Sequence, residues 1–203
     1  VLEDGCVELI SGQAGMASSV WAEKRLDLSQ PFHIQANLNF GSIPHGSEGM
    51  VWTLHAEDFE VSMYSELETA FGVEFDTRPQ PELGDIETDH IAMINHGSYV
   101  HLDSTDAFTA GPVSALMSGE SLEDGNDHLV DIVWEPNGPE IRVYLDCEER
   151  LVASIDLIDD IFHGQRHVTW GFAAEATNAV NVGRVCLTGN ATGTDTEIYA
   201  CPE

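Results

Sequence analysis

Residues 70–94 read AFGVEFDTRPQPELGDIETDHIAMI, and this stretch is the most informative part of the chain. It opens by alternating apolar residues with small or acidic ones, the period-two pattern of a strand with one buried face. Glu74 and Asp76 therefore project from the same face of that strand. Prolines and a glycine then predict a loop, after which His90 opens a second apolar run. A strand, a loop and a second strand thus direct carboxylates and an imidazole toward one point.

The residue types in this segment predict bound metal ions. Carboxylate and amide oxygens suit hard cations such as Ca²⁺, whereas an imidazole among carboxylates suits Mn²⁺ or another transition ion. A segment that offers both predicts one ion of each kind, with Asp76 and Asp85 as candidate bridges. The types alone leave an alternative open, because a solvated acidic loop with His90 as a chance neighbour is also expected in so acidic a protein.

The spacing resembles the metal-binding segment of the legume-type (L-type) lectins. The resemblance is carried by residues 73–77, by Asp85 and by the step 89–91. In that family a Glu, an Asp, a residue that uses its backbone carbonyl, an Asn, a second Asp and a His follow at these separations. The implied metal ligands are Glu74, Asp76, Arg78, Gln80, Asp85 and His90. Only Gln80, where the family has Asn, departs in type.

The resemblance extends over most of residues 5–190. Four further runs look like bacterial members found in secreted or cell-surface proteins: residues 18–32, 47–54, 124–134 and 170–174. The resemblance implies a concanavalin-like jelly roll and a Ca²⁺ ion paired with Mn²⁺ or another divalent transition metal. It also implies a secreted or surface-displayed lectin or adhesin that binds carbohydrate without catalysis.

The resemblance also implies a sugar site, with departures. In the family an Asp before a Gly accepts hydrogen bonds from sugar hydroxyls and follows a cis peptide. Glu48 takes that place here, so the Ser47–Glu48 bond is predicted to be cis. Residues 57–68 replace a glycine-rich loop, which makes Tyr64 a candidate for stacking on a sugar ring. The full predicted set of carbohydrate contacts is Glu48, Gly49, Gln80, Tyr64, Glu175, Ala176, Thr177 and Asn178.

Strand patterns dominate the rest of the chain. Residues 32–40 alternate without a break, as expected of a half-buried antiparallel strand. Further strands are predicted near residues 50–54, 91–94, 129–134, 141–145, 151–155, 167–173 and 180–187. With turn clusters between them, they predict an all-β sandwich of two antiparallel sheets. One helical turn is expected at residues 156–162, with Asp156 as its cap.

Length and charge bound the class of protein. At 203 residues and 42% hydrophobic content the chain predicts one domain, assigned to residues 1–190, with a linker-like tail at 191–203. The net charge of −29 argues against nucleic acid or an anionic membrane as a partner, because both require clustered cations. Adaptation to salty water is an alternative reason for so many carboxylates. No apolar run is long enough to span a membrane.

Four cysteines without metal-finger spacing favour two disulfides in an oxidising compartment, with three connectivities open and free thiols as the alternative. In the architecture of the resembling family the first and last strands are adjacent, which implies Cys6 with Cys186 and leaves Cys147 for Cys201. Both pairs fit an extracellular or cell-surface location.

Two other functions compete with sugar binding. A hydrolase of related fold would place a second Glu shortly after Asp76, but Arg78 and Pro79 stand there. A structural subunit of a surface appendage with a decayed sugar site is motivated by Glu48 and Gln80. A surface glycan is the expected partner, and a homodimer or a larger surface protein is the expected context. The histidines His45, His96, His101, His163 and His167 are interpreted as isolated neutral loop residues.

Overall fold

Antiparallel strands make up nearly all of the regular structure. The computed structural model describes residues 6–58, 61–102, 108–117, 121–176 and 181–192. Its strands are β1 (Val7–Ser11), β2 (Met16–Trp21), β3 (Leu26–Asp27), β4 (Phe32–Asn39), β5 (Gly49–His55), β6 (Ala70–Asp76), β7 (His90–Asn95), β8 (Phe108–Ser114), β9 (Asp127–Glu135), β10 (Glu140–Leu145), β11 (Glu148–Ser154), β12 (His167–Ala176) and β13 (Val182–Thr192). Short 3₁₀ turns lie at Tyr64–Glu66 and Pro81–Leu83, and a π-helical turn lies at Leu157–Ile161.

The strands form two sheets in a sandwich. One sheet has the order β1-β13-β4-β9-β10-β11, and the other has the order β2-β12-β5-β6-β7-β8 with β3 paired to β12. Every pairing in both sheets is antiparallel. The prediction of an all-β jelly-roll sandwich is confirmed, because each sheet also pairs strands that are distant in sequence, such as β1 with β13 and β2 with β12, as crossovers between two sheets require.

The core lies between the two sheets. The apolar positions of β4 face inward as the alternation predicts, and they pack with aromatic side chains from the second sheet, including Trp52 and Phe75. Trp134, on β9 of the same sheet as β4, is also buried, and its indole Nε1 donates a hydrogen bond to the Leu28 carbonyl at 2.9 Å. Burying a side chain of this size stabilises the fold by about 2–3 kcal/mol. The packing holds the ends of β5, β6, β7 and β12 in one rigid sheet.

Four strands, β1, β2, β3 and β8, were not predicted from the sequence. All six residues of β2 are half-buried, so no alternation marks it, and β3 is only two residues long. β8 contains Gly111 and Pro112, residues that argue against a central strand. It lies at the edge of its sheet, where the missing proline N–H is tolerated.

The predicted helical turn is present at Leu157–Ile161. The Asp156 carboxylate caps it by accepting hydrogen bonds from the backbone N–H groups of Ile158 and Asp159 at 3.0 and 3.2 Å. None of the helices in the described part of the chain is long and apolar enough to cross a membrane.

A disulfide joins Cys6 to Cys186 and ties the beginning of the chain to β13. This pairing is confirmed. It closes a sequence separation of 180 residues between neighbouring strands β1 and β13. The second predicted pair ends on Cys201, which lies outside the described residues, so the pairing of Cys147 with it stays a prediction.

Replacing Cys6 and Cys186 together with Ala is expected to lower the free energy of unfolding by about 2–5 kcal/mol, because the unfolded chain loses a cross-link over a long loop. Urea denaturation of the variant and the parent chain, both under oxidising conditions, measures the difference. A variant within about 0.5 kcal/mol of the parent, the usual scatter of a surface substitution, would contradict this role for the bond.

Candidate functional site

The pairing of β6 with β7 builds the site predicted from residues 70–94. Asp76 lies opposite His90 in the register of these strands, and Glu74 is two residues earlier on the same face as Asp76. Both carboxylates are buried, and His90 is completely buried. The connecting loop folds back through the 3₁₀ turn at Pro81–Leu83 and returns Asp85 to the same place, with its side chain 1% exposed.

The structure brings five side chains into one buried group, which we call the carboxylate–imidazole cluster: Glu74, Asp76, Asp85, His90 and His101. His101 lies between two carboxylates, with Nε2 2.7 Å from Glu74 Oε2 and Nδ1 2.9 Å from Asp85 Oδ1. His90 Nε2 is 3.7 Å from Asp85 Oδ1 and 4.0 Å from Asp76 Oδ2. The predicted ligands Glu74, Asp76, Asp85 and His90 therefore converge.

Two predicted ligands lie beside the cluster and contact it through the backbone. The Arg78 N–H donates to Asp76 Oδ1 at 2.5 Å, and the Gln80 N–H donates to Asp85 Oδ2 at 2.6 Å. These hydrogen bonds hold the loop against both carboxylates. The Arg78 carbonyl and the Gln80 amide stay predicted ligands.

His101 is the residue that sequence reasoning missed. It was interpreted as a neutral loop histidine, yet its side chain is completely buried. Its backbone N–H donates to the Leu83 carbonyl at 2.7 Å. This contact fixes the segment after β7 against the loop between β6 and β7, residues 77–89, which we call the metal-segment loop. No local pattern marks His101, because this contact joins two loops that meet only in the folded chain.

The cluster is strongly perturbed electrostatically. Burial, reinforced by the charge of Glu74, raises the pKa of Asp76 to about 9. Burial also raises the pKa of Glu74. Burial by itself lowers the pKa of His101, but its hydrogen bonds to Asp85 and Glu74 outweigh that effect and raise the pKa to about 9. The pKa values of Asp76, Glu74 and His101 are all raised for one reason. The buried carboxylates have too little positive charge around them, so each group binds its proton more tightly.

The donor atoms of the cluster fit metal ions. Two sets of three residues place one ligand atom each within 4.8 Å of one another: Glu74, His90 and His101, and Asp76, Asp85 and His90. His90 belongs to both sets, and its Nε2 is buried without a hydrogen-bond partner. A buried imidazole nitrogen left unpaired costs roughly 1–3 kcal/mol unless something binds it.

A second element, residues 41–49, carries Glu48 to the cluster. Gly49 has φ +104, and a Cβ at this position would lie 2.0 Å from the Phe75 carbonyl oxygen, so only glycine allows the approach to β6. Glu48 N–H donates to the Glu175 carbonyl at 3.1 Å, and the Glu48 carboxylate accepts from Arg78 Nη1 at 2.6 Å.

The prediction of a cis bond at Ser47–Glu48 is wrong. Within the described residues the cis peptide is Gly111–Pro112, and the Ser47–Glu48 bond is trans. The left-handed conformation of Gly49 turns the chain toward β6 instead, and a trans bond avoids the cost of about 3 kcal/mol that a cis non-proline bond carries.

Glu123, which no sequence pattern predicted as a functional residue, holds residues 41–49 in place. Its buried carboxylate accepts hydrogen bonds from the N–H groups of His45 and Gly46 and from Asn181 Nδ2. The neighbouring residues 121–122 are held in turn by Asp89, whose Oδ2 accepts from Leu122 N–H at 2.7 Å. One chain of hydrogen bonds therefore links the metal-segment loop to residues 41–49.

A cavity of about 230 Å³ opens beside the cluster. Its walls include Tyr99 and six of the predicted site residues: Glu48, Gly49, Glu74, Asp76, Gln80 and Glu175. Tyr99 Oη donates to Glu175 Oε1 at 3.1 Å. Because Glu74 and Asp76 line both the cavity and the cluster, a ligand in the cavity lies directly against the candidate metal site.

Two further predicted carbohydrate contacts, Tyr64 and Ala176, are not on the cavity wall. Tyr64 is completely buried, and its hydroxyl donates to the Ile94 carbonyl at 2.9 Å. Ala176 is buried in the core at the end of β12. The aromatic ring at the cavity belongs to Tyr99, whose ring centroid is 5.6 Å from that of Tyr64. Thr177 and Asn178 lie outside the described residues.

The jelly-roll sandwich is the fold of the legume and L-type lectins. The lectin from Bauhinia forficata in complex with GalNAc matches with a TM-score of 0.69 at 13% identity, covering 97% of this chain and 95% of that chain. Lectin II from Ulex europaeus matches with a TM-score of 0.66 at 14% identity, covering 89% and 86%. The carbohydrate recognition domain of Emp46p matches with a TM-score of 0.64 at 11% identity, covering 92% and 84%. No protein-family model matches the chain.

Gly49→Ala is expected to lower the free energy of unfolding by more than about 2 kcal/mol, because the new Cβ meets the Phe75 carbonyl. Gly12→Ala is the matched control, since Gly12 also has a positive φ but open space around it, and a loss of only about 1–2 kcal/mol is expected there. Chemical denaturation of both variants measures the two effects. Equal losses would contradict the close approach of residues 41–49 to β6.

Protein stripped of metal by a chelator is expected to lose stability as the pH rises from 4 toward 9. The folded-state pKa of Asp76, about 9, lies above its ordinary value of 3.8, so the folded form holds a proton that the unfolded form releases in this window. His101, with a folded pKa of about 9 against 6.5, changes stability in the same direction above pH 6.5. Thermal denaturation across this range should show a smaller decrease in Asp76→Asn. An equal decrease in that variant would contradict the assignment to Asp76.

Proposed function

We propose that this chain is a metal-dependent carbohydrate-binding domain, a lectin or adhesin module that binds glycans without changing them. One observation carries the proposal. The cavity shares the side chains Glu74 and Asp76 with the buried cluster, so ions that bind the cluster also form one wall of the receptor. The lectin fold supports the same conclusion, and one of the matching lectins is described in complex with GalNAc.

Two ions are proposed to bind the cluster. Ca²⁺ is assigned to the oxygen-rich part, formed by Asp76, Asp85, the Gln80 side chain and the Arg78 carbonyl, because hard cations prefer oxygen ligands. Mn²⁺ or another divalent transition ion is assigned beside Glu74 and His90, where an imidazole nitrogen is available. Bound there, the ions supply the positive charge that the buried carboxylates lack and hold the loop between β6 and β7.

The polar groups at the cavity suit sugar hydroxyls. Glu48 and Glu175 supply carboxylate acceptors, and the Gln80 amide supplies both a donor and an acceptor. Tyr99 and the alanines at the end of β12 supply apolar surface for the C–H face of a ring. Gly49 lines the cavity as well, and Thr177 and Asn178 stay proposed contacts. This combination of paired acceptors with a small apolar wall is typical of a binding site for a neutral sugar.

The site is proposed to be non-catalytic. Retaining hydrolysis needs a carboxylic acid and a carboxylate about 5–5.5 Å apart on either side of the substrate. Glu74 and Asp76 are instead buried against imidazoles and backbone N–H groups, and Arg78 follows where a further carboxylate is required. The carboxylates of β6 are therefore better placed to bind ions than to transfer protons to a sugar.

The proposed location is extracellular or at a cell surface, in the chain of a larger surface protein or a homodimer. The disulfide between Cys6 and Cys186 supports an oxidising compartment. A net charge of −29 supports a glycan partner over nucleic acid. The domain is assigned to residues 1–190 and the linker to 191–203, although β13 continues to Thr192.

A structural role is the second candidate, and one contact favours it. Arg78 Nη1 binds Glu48 Oε1 at 2.6 Å, so the receptor carboxylate already has a cationic partner within the chain. In that role the ions would make the domain a rigid spacer, and no sugar would replace Arg78 as the partner of the Glu48 carboxylate. A glycan array without a positive glycan, measured on protein whose thermal stability rises with Ca²⁺, would favour the structural role.

Glu48→Ala is expected to weaken glycan binding at least about tenfold while changing the unfolding temperature little, because Glu48 lies at the cavity mouth and its ion pair is partly exposed. Glycan-array binding in Ca²⁺, repeated after chelation with EDTA, measures the effect. Glu87→Ala is the control, since Glu87 is an exposed glutamate of the loop between β6 and β7. Unchanged binding in Glu48→Ala, or binding that survives chelation, would contradict the proposed function.

A further inference from the structure

We propose that His101 is a second imidazole ligand of the transition ion, so that Glu74, His90 and His101 form a binding site selective for ions that prefer nitrogen, such as Zn²⁺ and Co²⁺. The inference rests on the proposed metal-dependent function and names the chemistry of one of its two ions.

The first support is geometric. One atom each from Glu74, His90 and His101 lies within 4.8 Å of the other two. Zinc holds nitrogen and oxygen ligands at about 2.0–2.2 Å, so atoms bound to one ion lie up to about 4.4 Å apart. The three side chains therefore need only a few tenths of an ångström of adjustment to share an ion, and their backbones are already held in β6, β7 and the loop contact with Leu83.

The second support is the unpaired nitrogen of His90. Its Nε2 is completely buried and has no hydrogen-bond partner, although Asp85 and Asp76 approach it at 3.7 and 4.0 Å. Burial of an imidazole nitrogen without a partner is costly, and a bound cation is the ligand that both this lone pair and the nearby carboxylates accept.

The third support is the orientation of His101. Its Nδ1 lies 2.9 Å from Asp85 Oδ1, the carboxylate contact that commonly orients a metal-bound histidine. With Nδ1–H donating to Asp85, Nε2 faces Glu74 Oε2 at 2.7 Å, and in the metal-free chain a proton on Nε2 is donated to that carboxylate. A bound ion would replace this proton and be held by both atoms. The rings of His90 and His101 are nearly perpendicular, with centroids 5.3 Å apart, and so lie beside the same space.

Two imidazole ligands change which metal ion the site is expected to prefer. Imidazole ligands suit zinc, copper, nickel and iron, whereas sites made mostly of carboxylate, carbonyl and water suit calcium, magnesium and manganese. Replacing an oxygen ligand by His101 therefore favours Zn²⁺ and Co²⁺ over Mn²⁺ at this position. The oxygen-rich part of the cluster keeps its preference for Ca²⁺.

The test uses the full chain, stripped with EDTA, reloaded with Ca²⁺ and titrated with Zn²⁺, Co²⁺ or Mn²⁺ in calorimetry. His101→Gln is expected to weaken Zn²⁺ and Co²⁺ binding at least about 100-fold, more than loss of an outer-shell partner, and to weaken Mn²⁺ binding less. His167→Gln, which changes an exposed histidine on β12, is the control and should leave all three affinities unchanged. X-ray absorption of the Zn²⁺ form should count two imidazoles in the parent chain and one in His101→Gln.

Three outcomes would overturn the inference, and they are distinguishable. A single imidazole in the parent chain would remove His101 from the ligand set while leaving the metal-dependent lectin intact. Tighter metal binding by His101→Gln than by the parent chain would show that His101 competes with the ion for Glu74 and Asp85. Absence of any metal binding to the parent chain would overturn both this inference and the proposed function.

Discussion

The burial of three carboxylates around two imidazoles is the constraint on which the rest of the site depends. Glu74, Asp76 and Asp85 are removed from water at the ends of β6 and of its loop, where a charged group is costly without a partner of opposite sign. His101 supplies part of that partner, and His90 keeps an unpaired nitrogen facing the same space. A protein interior rarely holds such a group without further compensation, and bound cations are the compensation that these donor atoms accept.

The same cluster organises the loops around it. Asp76 and Asp85 accept backbone hydrogen bonds from the loop that connects β6 to β7, and His101 joins that loop to the segment after β7. Asp89 and Glu123 extend the hydrogen-bonded chain to residues 41–49, which bring Glu48 to the cavity. Irregular loops have few apolar contacts of their own, so hydrogen bonds to fixed charges determine their shape. Metal binding and the shape of the cavity are therefore expected to be coupled.

The contact between Glu48 and Arg78 links the two proposals for function. Arg78 lies in the metal-segment loop and Glu48 at the cavity, so the ion pair connects the part proposed to bind ions to the part proposed to contact sugar. The pair is partly exposed, and exposed pairs contribute little stability, which leaves the carboxylate accessible to a competing hydroxyl.

The sequence by itself determined most of the strands, the all-β sandwich class and the convergence of Glu74, Asp76, Asp85 and His90, and the family resemblance implied the jelly roll and the Cys6–Cys186 pair. These follow from alternation within β4 and β6 and from the spacing of one segment, which are local properties or carry a specific resemblance. Only the tertiary structure decided that His101 enters the cluster, that Tyr99 rather than Tyr64 lines the cavity, and that Glu123 holds residues 41–49. The physical reason is that these contacts join loops distant along the chain, and their positions are set by the packing of whole sheets, which no local pattern records.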